Sequence, residues 1–202
     1  MKGQPSGCPF CVGGRKGFQG VEQMDREQGE RPWRIRTAAE RDREGLEAVV
    51  MDAFSVYLPR MDRKPYPMVD DYGAYIRGGQ AFVLEEGGEA GKDAAQESVQ
   101  GCIVLVPGAD GDLSLEVLAV RGDRQGRGYG RALVDFALRH AQTLGCPRLK
   151  LYTNEVMAEA QAFYTCLGFT ETRRALDAGY RRVFYELEVE SHVRIKCRFL
   201  GT

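Results

Sequence analysis

A glycine-rich turn follows the apolar segment Leu113–Val120 in the second half of the chain. The turn reads Gln125-Gly-Arg-Gly-Tyr-Gly-Arg131, so glycines occupy positions 126, 128 and 130. Glycine lacks a Cβ, which lets backbone N–H groups approach a ligand closely. A helix that begins directly after the turn adds unpaired N–H groups at the positive end of its dipole. Such a turn could bind a pyrophosphate group, or it could be a plain tight turn at the surface.

Two arginines flank the same turn. Arg127 and Arg131 could add side-chain cations to the backbone donors, or they could be solvated. Two other nucleotide-binding motifs do not fit. The GxGxxG motif of dinucleotide-binding folds needs a small residue where Arg131 stands, and the GxxxxGK[ST] motif of P-loops is absent from the sequence. If the turn binds a phosphate group, it therefore belongs to another class of motif.

Glu116 and Tyr164 are candidates for proton transfer. Glu116 is the one carboxylate in Leu113–Val120, and strand alternation places it on the face of Ser114 and Leu118. It could take the proton that an amine carries at neutral pH, or it could be a structural or solvated residue. Tyr164 lies on the apolar stripe of a predicted helix. Its phenol, with an ordinary pKa of about 10, could donate a proton or could simply fill the core.

Two spaced motifs resemble those of one enzyme family. Gln125-x-x-Gly128-x-Gly130, after an apolar strand, resembles the acetyl-CoA pyrophosphate motif of the GNAT N-acetyltransferase superfamily. Further along, Tyr164-Thr-Cys-Leu-Gly-Phe169 resembles the Y-x-x-x-G-F end of the family's next motif. Because both motifs occur in the family's order and on the predicted elements, the chain is identified as a member of this superfamily over about residues 100–190.

The resemblance implies that acetyl-CoA is the acyl donor, and no metal is expected. It implies that the backbone of the strand end binds the pantetheine arm and that amides of the turn hold the pyrophosphate. Asn154 would contact acetyl-CoA or cap the next helix, two alternatives that the sequence leaves open. The residues assigned to acetyl-CoA are Leu118, Ala119, Val120, Gln125, Gly126, Arg127, Gly128, Tyr129, Gly130, Arg131 and Asn154.

The same resemblance implies catalytic roles. Tyr164 matches the general acid that protonates the departing thiolate, and an N–H near Val117 or Leu118 would polarise the thioester carbonyl. Many members carry a glutamate at the position of Ser114, whereas here the carboxylate stands two residues further on, at Glu116. Glu116 could serve as the base directly or through a water, it could orient the amine, or it could be structural. The family also implies a bulge near Glu116 and a sheet that opens beside it.

The elements that position these residues follow from the spacing of apolar residues. Alternating or continuously apolar runs predict strands, and apolar residues three or four apart predict helices. Thr37 and Glu40 have the spacing of a capping box that opens the first helix, and Gly145 with Pro147 ends the helix after the glycine turn. The predicted strands cover residues 33–36, 81–85, 99–106, 113–120, 149–153, 169–174 and 182–190.

These elements predict an α/β (α+β) fold. We expect a GNAT-like mixed, mostly antiparallel central sheet of six to seven strands, splayed in the middle, with about four helices packed on it. Residues 1–31 have many glycines and no sustained apolar periodicity, which predicts a flexible arm. Residues 32–190 are predicted to form the acetyltransferase domain, and residues 191–202 a C-terminal tail.

Composition and charge exclude several classes of function. The 202 residues include 28 Lys and Arg and 29 Asp and Glu, a formal net charge of −1, so a nucleic-acid partner is not expected. No apolar run approaches the roughly 18 residues of a membrane span, and the N-terminus lacks the apolar stretch of a signal peptide. We therefore predict a cytoplasmic protein without a membrane partner. Cys8 and Cys11 have the spacing of a zinc knuckle, but no second pair completes a zinc site.

The predicted activity is transfer of an acetyl group from acetyl-CoA to the primary amine of a small molecule, by direct attack in a ternary complex. The alternatives are a protein acetyltransferase that modifies a lysine or an N-terminus, and a non-catalytic module that binds acyl-CoA. The sequence leaves open whether the protein forms a homodimer. The resemblance implies that residues 55–71 and 173–182 form the wall of the acceptor pocket. The basic residues in these two segments could all serve solubility, or one or two could bind an acceptor carboxylate. They are Arg60, Arg63, Lys64, Arg173, Arg174, Arg181 and Arg182.

Overall fold

A seven-stranded sheet runs through the part of the chain that the structure describes. The structure is a computed structural model, and it describes residues 33–86 and 99–190. The strands are β1 (Trp33–Thr37), β2 (Ala81–Glu86), β3 (Val99–Pro107), β4 (Leu113–Val120), β5 (Arg148–Asn154), β6 (Thr170–Asp177) and β7 (Tyr180–Glu188). They lie in the order β1-β2-β3-β4-β5-β7-β6, and every neighbouring pair is antiparallel except β4 and β5.

Four α-helices in the described residues cover the two faces of this sheet. They are α1 (Arg43–Ser55), α2 (Tyr72–Arg77), α3 (Tyr129–Leu144) and α4 (Ala158–Cys166). α1 and α2 pack on one face, and α3 and α4 pack on the other, each pair with its own apolar core. This architecture confirms the predicted fold class. The predicted arm at 1–31, the tail at 191–202 and the pair Cys8 and Cys11 lie outside the described residues, so the domain bounds stay a prediction.

The spacing of apolar residues explains why α3 lies where it does. Leu133, Ala137 and Ala141 follow one another at intervals of four and are buried against the sheet. The helix ends at Gly145, which has a φ of +72° and therefore a left-handed conformation that suits glycine. Pro147 follows, as the sequence predicts. α3 thus holds the glycine turn at its N-terminal end in a fixed position on the sheet.

The first helix begins differently from the predicted capping box. Thr37 is the last residue of β1. The carboxylate that accepts a backbone hydrogen bond here is Asp42, from Ala39 N–H at 2.7 Å. Asp42 is fully buried and also accepts two hydrogen bonds from Arg36, at 2.6 and 2.9 Å. Because Arg36 also donates to Glu85 at 2.6 Å, one ionic network joins β1, β2 and the start of α1.

The buried Asp42 carboxylate should make the fold sensitive to acid. Burial opposes its ionisation, but hydrogen bonds from Arg36 and Ala39 outweigh burial and lower the pKa of Asp42. A lowered pKa in the folded state adds stability above the unfolded value of about 4, and this contribution is lost as the pH falls through the folded pKa. We expect Asp42→Asn to lower the free energy of unfolding by about 2 to 3 kcal/mol at pH 7, as measured by urea titration.

Asp62→Asn is the matched control for this measurement, because Asp62 is almost fully exposed. The control should change the free energy of unfolding by less than about 0.5 kcal/mol. The difference between Asp42→Asn and the unsubstituted protein should also shrink below about pH 4, where the carboxylate begins to be protonated. Equal effects of the two substitutions at pH 7 would contradict the structural role of Asp42.

Neither a candidate membrane span nor a cluster of metal ligands is present in the described part of the chain. None of the helices within residues 33–86 and 99–190 is long and apolar enough to cross a membrane. Across the same ranges, no three His, Cys, Asp or Glu side chains are grouped as metal ligands. The cytoplasmic location and the metal-free mechanism stay predictions.

Candidate active site

β4 and β5 separate from each other partway along the sheet. Their parallel pairing joins residues 113–115 to residues 149–151 and ends there. β4 continues to Val120 alongside β3, and β5 continues to Asn154 alongside β7. A gap therefore opens in the middle of the sheet between the two strand ends, as the predicted splayed sheet requires.

A β-bulge in β4 lies beside this gap. Val104 of β3 pairs with Val117, and the next residue, Leu105, pairs with Leu115, so Glu116 is the extra residue on β4. The bulge changes which face the following side chains occupy. Leu118 therefore packs on the α3 side, and the prediction that it shares a face with Glu116 is wrong. Leu115 packs in the core under α3, whereas Val117 packs in the core under α1. Glu116, the neighbour of Leu115, therefore lies on the α1 side at the point where the strands separate.

The peptide groups of Leu118 and Val120 point towards the gap. Arg121 N–H donates to the Gln100 carbonyl of β3 at 2.9 Å. In an antiparallel pair, the N–H and C=O groups of every second residue point to the partner strand, so the peptide groups of Ala119 also point to β3. The positions between them face the gap, where the Val120 carbonyl accepts a hydrogen bond from Gln125 Nε2 at 3.2 Å. The remaining backbone groups on this edge can bind an extended ligand that carries amides, in the manner of an added strand.

The glycine turn places backbone N–H groups at the end of the gap. Gly126 and Gly128 have φ values of +78° and +86°, which side chains other than glycine rarely adopt. The Gly128 carbonyl accepts a helical hydrogen bond from Ala132 N–H at 2.9 Å. The N–H groups of residues 129–131 therefore have no acceptor within the helix, and no described side chain caps them. These donors lie at the positive end of the α3 dipole and suit an anion such as a pyrophosphate.

Tyr129 anchors this turn with its side chain. Its hydroxyl donates to the Glu86 carboxylate on β2, and its ring meets Trp33 edge-on at a centroid distance of 6.0 Å. Burial raises the pKa of Tyr129, and the hydrogen bond to Glu86 raises it further. The phenol is therefore neutral and directed away from the turn. A ligand at the turn would meet the backbone N–H of Tyr129 rather than its side chain.

A cavity of about 510 Å³ passes through the gap in the sheet. Its walls come from the end of α1, the loop after α1, β4, the end of β5, α4 and the β6–β7 hairpin. Such a volume is typical of sites for small molecules and cofactors. The predicted site residues that line it are Glu116, Leu118, Ala119, Val120, Gln125, Gly130, Asn154 and Tyr164. The others do not line it but belong to the adjoining turn and first helical residues, namely Gly126, Arg127, Gly128, Tyr129 and Arg131.

Tyr164 brings a protonated phenol to this cavity. Its ring packs in α4 against Phe163, Phe169 and Tyr185, at centroid distances of 5.4, 5.6 and 6.3 Å. Within the described residues its hydroxyl has no hydrogen-bond partner, and the side chain lines the cavity. Burial raises the pKa of Tyr164, and the nearby Tyr57 raises it further. The phenol therefore carries its proton at neutral pH and can donate it into the cavity.

Two hydroxyl groups accompany the Glu116 carboxylate. Ser114 Oγ donates to Glu116 Oε1 at 2.5 Å, so the two side chains share a face as strand alternation predicts. Tyr152 of β5 lies across the gap. Burial raises the pKa of Tyr152, and the charge of Glu116 and a hydrogen bond to it raise this pKa further, against a lowering by Arg182. The neutral Tyr152 phenol can thus donate to Glu116 and help to fix the position of the carboxylate.

The loop after α1 closes over one end of the cavity. Of the basic residues expected around an acceptor, Arg60 and Arg182 line the cavity. Arg60 Nη1 donates to both carboxylate oxygens of Glu159 on α4, at 2.8 and 3.0 Å. Tyr180 of the β6–β7 hairpin donates its hydroxyl to the Lys64 carbonyl at 2.9 Å. These contacts join the loop to α4 and to the hairpin, and so bound the end of the cavity that is remote from the glycine turn.

Asn154 was predicted either to cap the next helix or to contact acetyl-CoA. Its Oδ1 accepts a hydrogen bond from Val156 N–H at 3.1 Å, which forms a side-chain turn before α4. The helix itself begins at Ala158, after Met157, so Asn154 shapes the approach to the helix rather than capping its first turn. Asn154 also lines the cavity. A contact between its side chain and acetyl-CoA stays a prediction.

The comparison with known families agrees with this geometry. Residues 46–169, more than half of the chain, match the model of the acetyltransferase (GNAT) family. The chain belongs to the GNAT acetyltransferase family. The matched range contains the separated strands, the bulge, the glycine turn and Tyr164, so the resemblance seen in the two motifs is confirmed. The enzyme class that follows is acyltransferase.

Two curated relatives of this GNAT chain share a short stretch with it. The mycothiol acetyltransferase of Geodermatophilus obscurus is 42% identical over 66 residues, which cover 33% of this chain and 21% of the relative. The mycothiol acetyltransferase of Thermobispora bispora is 38% identical over 76 residues, which cover 37% and 25%. The matched stretch thus spans only about a fifth to a quarter of the length of these relatives.

Solved structures of other GNAT proteins share the fold. The ribosomal-protein-S18-alanine N-acetyltransferase of Escherichia coli superposes with a TM-score of 0.58 and 18% identity, over 78% of this chain and 94% of that one. Nourseothricin acetyltransferase gives a TM-score of 0.57 and 21% identity, over 79% and 99%. The NatC complex bound to Gag peptide and CoA gives 0.57 and 19%, over 78% and 99%. At these identities the similarity establishes the fold.

Proposed function

We propose that this GNAT enzyme transfers the acetyl group of acetyl-CoA to the primary amine of a small molecule, by direct attack in a ternary complex. One observation supports acetyl-CoA as the donor, namely that two parts of its expected binding site adjoin each other. The open strand edge at Leu118 and Val120 leads directly to the unpaired N–H groups of residues 129–131. An arm that carries amides suits such an edge, and a pyrophosphate suits such a helix end. The CoA in the NatC complex is in keeping with this donor.

The proposed donor site uses the backbone more than the side chains. Leu118, Ala119 and Val120 would form the wall for the pantetheine arm, and Gln125 would fix the strand end through its bond to Val120. The backbone of residues 126–131 would hold the pyrophosphate, while the side chains of Arg127 and Arg131 would add positive charge. Asn154 would contact the arm from the side of β5.

The described residues can carry each proton of the proposed reaction. Glu116 accepts a proton from the ammonium group of the acceptor, directly or through a water, and the nitrogen lone pair then attacks the thioester carbonyl. Leu118 N–H, which lies on the gap side of the strand, donates to the oxygen that becomes negative and is better placed than Val117 N–H. The C–S bond breaks, and Tyr164 gives its proton to the leaving thiolate. A proton released from the new amide nitrogen restores the phenol, and the proton on Glu116 passes to water.

The contacts around the loop after α1 favour a small acceptor. The Arg60–Glu159 and Tyr180–Lys64 bonds bound the acceptor end as a pocket rather than as a groove open along its length. The names of three relatives point the same way, since the two mycothiol acetyltransferases and nourseothricin acetyltransferase are named for small molecules.

A protein acceptor is the second candidate function. The segment between α1 and α2 exposes the apolar side chains Val56, Leu58, Tyr66 and Val69 near the cavity. Exposed apolar residues in one segment are typical of surfaces that contact another protein. The Escherichia coli S18-alanine enzyme, whose fold is similar, is named for such a substrate. A peptide therefore belongs among the acceptors to be assayed.

Donor binding is tested by calorimetry, in which acetyl-CoA is titrated into the full chain and into its Gly128→Ala variant. A Cβ at Gly128 meets no neighbouring atom, but its φ of +86° is unfavourable for alanine. The substituted turn should prefer another conformation, which acetyl-CoA must reverse, so we expect its Kd to rise about 5- to 30-fold. Gly145→Ala is the matched control, because it has the same left-handed strain at the far end of α3. An equal rise in both variants, or no binding at all, would remove the donor half of the proposal.

The acceptor half is tested by release of free CoA. Purified enzyme with acetyl-CoA should release CoA in the presence of small primary amines and not with a peptide that presents a free N-terminus or an internal lysine. Turnover with the peptide alone would replace the small-molecule acceptor by a protein. Binding of acetyl-CoA without turnover on any amine would leave the chain a binding module.

A further inference from the structure

Arg182 presents a nearly buried guanidinium to the cavity. Its side chain is 12% exposed, and its guanidinium carbon lies 4.0 Å from the centroid of the Tyr152 ring. Nη1 donates to Asp177 Oδ2 at 2.7 Å. Within residues 33–86 and 99–190, no other side chain or carbonyl accepts a hydrogen bond from this group. Because a guanidinium has several N–H donors arranged as a planar fork, most of its donors remain for a partner in the cavity.

Arg182 lies on the same face of the sheet as the proposed base. Its neighbour Val183 packs in the core under α3, so Arg182 points to the opposite face, where Glu116 lies. Tyr152 stands between the two, with its phenol near Glu116 and its ring face under the guanidinium. A carboxylate, a phenol and a guanidinium therefore follow one another across β4, β5 and β7, and all three line the cavity.

The bond to Asp177 leaves the guanidinium able to take a second anion. Asp177 is half exposed, with 49% of its side chain accessible, so water weakens this pair. Asp177 binds only Nη1 of the guanidinium. Nε and Nη2, which lie on the other side of the group, have no hydrogen-bond partner among the described residues. Stacking on Tyr152 holds the plane of the fork in place. A planar fork that is fixed and desolvated is well suited to bind a carboxylate through two hydrogen bonds.

We infer that Arg182 binds a carboxylate of the acceptor, which is therefore a free amino acid or a similar amine that also carries an acid group. The inference rests on the proposed function, because it assigns the acceptor half of the same site. Glu116 and Arg182 recognise the two charged ends of such a molecule, the ammonium at Glu116 and the carboxylate at Arg182. The N-terminus or a lysine of a protein lacks a free carboxylate beside its amine, so neither satisfies both groups.

The test compares acceptors that differ only in the carboxylate. Free amino acids are assayed beside their carboxamides, for example phenylalanine and phenylalaninamide, together with phenethylamine, by release of CoA from acetyl-CoA. The carboxamide amine is the less protonated of each pair, so chemistry alone would make it the better acceptor. We expect the free amino acid to show a kcat/KM about 10- to 100-fold higher, in keeping with bidentate binding to a charged group.

Three substitutions separate recognition from structure. Arg182→Gln should raise KM for the free amino acid about 10- to 100-fold and leave KM for its carboxamide within about threefold. Arg182→Lys should lie between, because lysine keeps the charge but loses the fork. Asp177→Asn removes the hairpin partner of Arg182 and keeps the guanidinium, so KM for the amino acid should stay the same or fall. Arg181→Gln is the matched control, since Arg181 is 80% exposed on the opposite side of the strand.

The outcomes distinguish this inference from the proposed function. Equal kcat/KM for amino acids and carboxamides, with turnover on both, would overturn the role of Arg182 and leave a small-molecule acetyltransferase. Equal damage from Arg182→Gln and Asp177→Asn on every acceptor would make the pair structural and would also overturn the inference. Turnover with the peptide alone, or with no amine, would remove the proposed function and the inference together.

Discussion

Replacing Tyr164 by phenylalanine is expected to lower kcat about 10²- to 10³-fold, because the leaving thiolate then has no proton donor in the cavity. The ring stays in its packed position between Phe163, Phe169 and Tyr185, so the fold and the donor site should persist. The Kd of acetyl-CoA should therefore change by less than about threefold. Steady-state CoA release gives kcat, and calorimetry on the same samples gives Kd.

Tyr185→Phe is the matched control for this substitution. Tyr185 is also buried beside Tyr164, but it does not line the cavity. Loss of its hydroxyl should leave kcat within about threefold. If Tyr164→Phe weakened acetyl-CoA binding as much as it lowered kcat, Tyr164 would be a packing residue and another proton donor would be needed.

The pH profile adds an independent check on Tyr164. Burial and the nearby Tyr57 raise the pKa of Tyr164 above its ordinary value, so the proton is lost only at a higher pH than from a free phenol. A group that acts as an acid fails as the pH rises through its pKa. We therefore expect no alkaline fall in kcat from this phenol below about pH 10. The same raised pKa makes Tyr164 a weaker acid than a free phenol.

The sequence was sufficient for the parts of the site that are local in the chain. The turn at Gln125–Arg131 and the helix after it are set by glycines and by apolar spacing within a few residues, so strand, turn and helix lie as predicted. The position of Ser114 beside Glu116 also follows from alternation along a single strand. For Tyr164, helical spacing places the ring in the core, and the family motif suggests its chemistry.

The parts of the site that join distant segments could not be predicted. Tyr152 and Arg182 come together because β5 pairs with β7, which lies between β5 and β6 in the sheet, and no spacing within one segment reveals that order. The Arg60–Glu159 bond joins residues 99 positions apart. One prediction from local spacing, the capping box at the first helix, was wrong because a tertiary contact determines the start of that helix. The spacing of Thr37 and Glu40 fits a capping box, yet the buried Asp42, held by Arg36, takes the backbone hydrogen bond.

Glu116→Gln is expected to lower kcat/KM for the amine about 10²-fold at pH 7. Glutamine has the same shape and can still accept a hydrogen bond from Ser114 Oγ, but it cannot take the proton of an ammonium group. The loss should shrink as the pH approaches the pKa of the acceptor, because an amine that is already neutral needs no base. Rates at pH 7 and at about pH 9.5, with acetyl-CoA binding as the control for the donor site, measure both effects.

Ser114→Ala separates the base from the group that positions it. Without Oγ the Glu116 carboxylate keeps its charge but loses one of the contacts that hold it, so kcat/KM should fall by only about 3- to 10-fold. The loss should show the same recovery at high pH, since it acts through Glu116. A loss in Glu116→Gln that is as large at pH 9.5 as at pH 7 would show that Glu116 orients the amine without taking its proton. The base would then be a water in the cavity, and Glu116 and Arg182 would act together as the binding pair for the two ends of the acceptor.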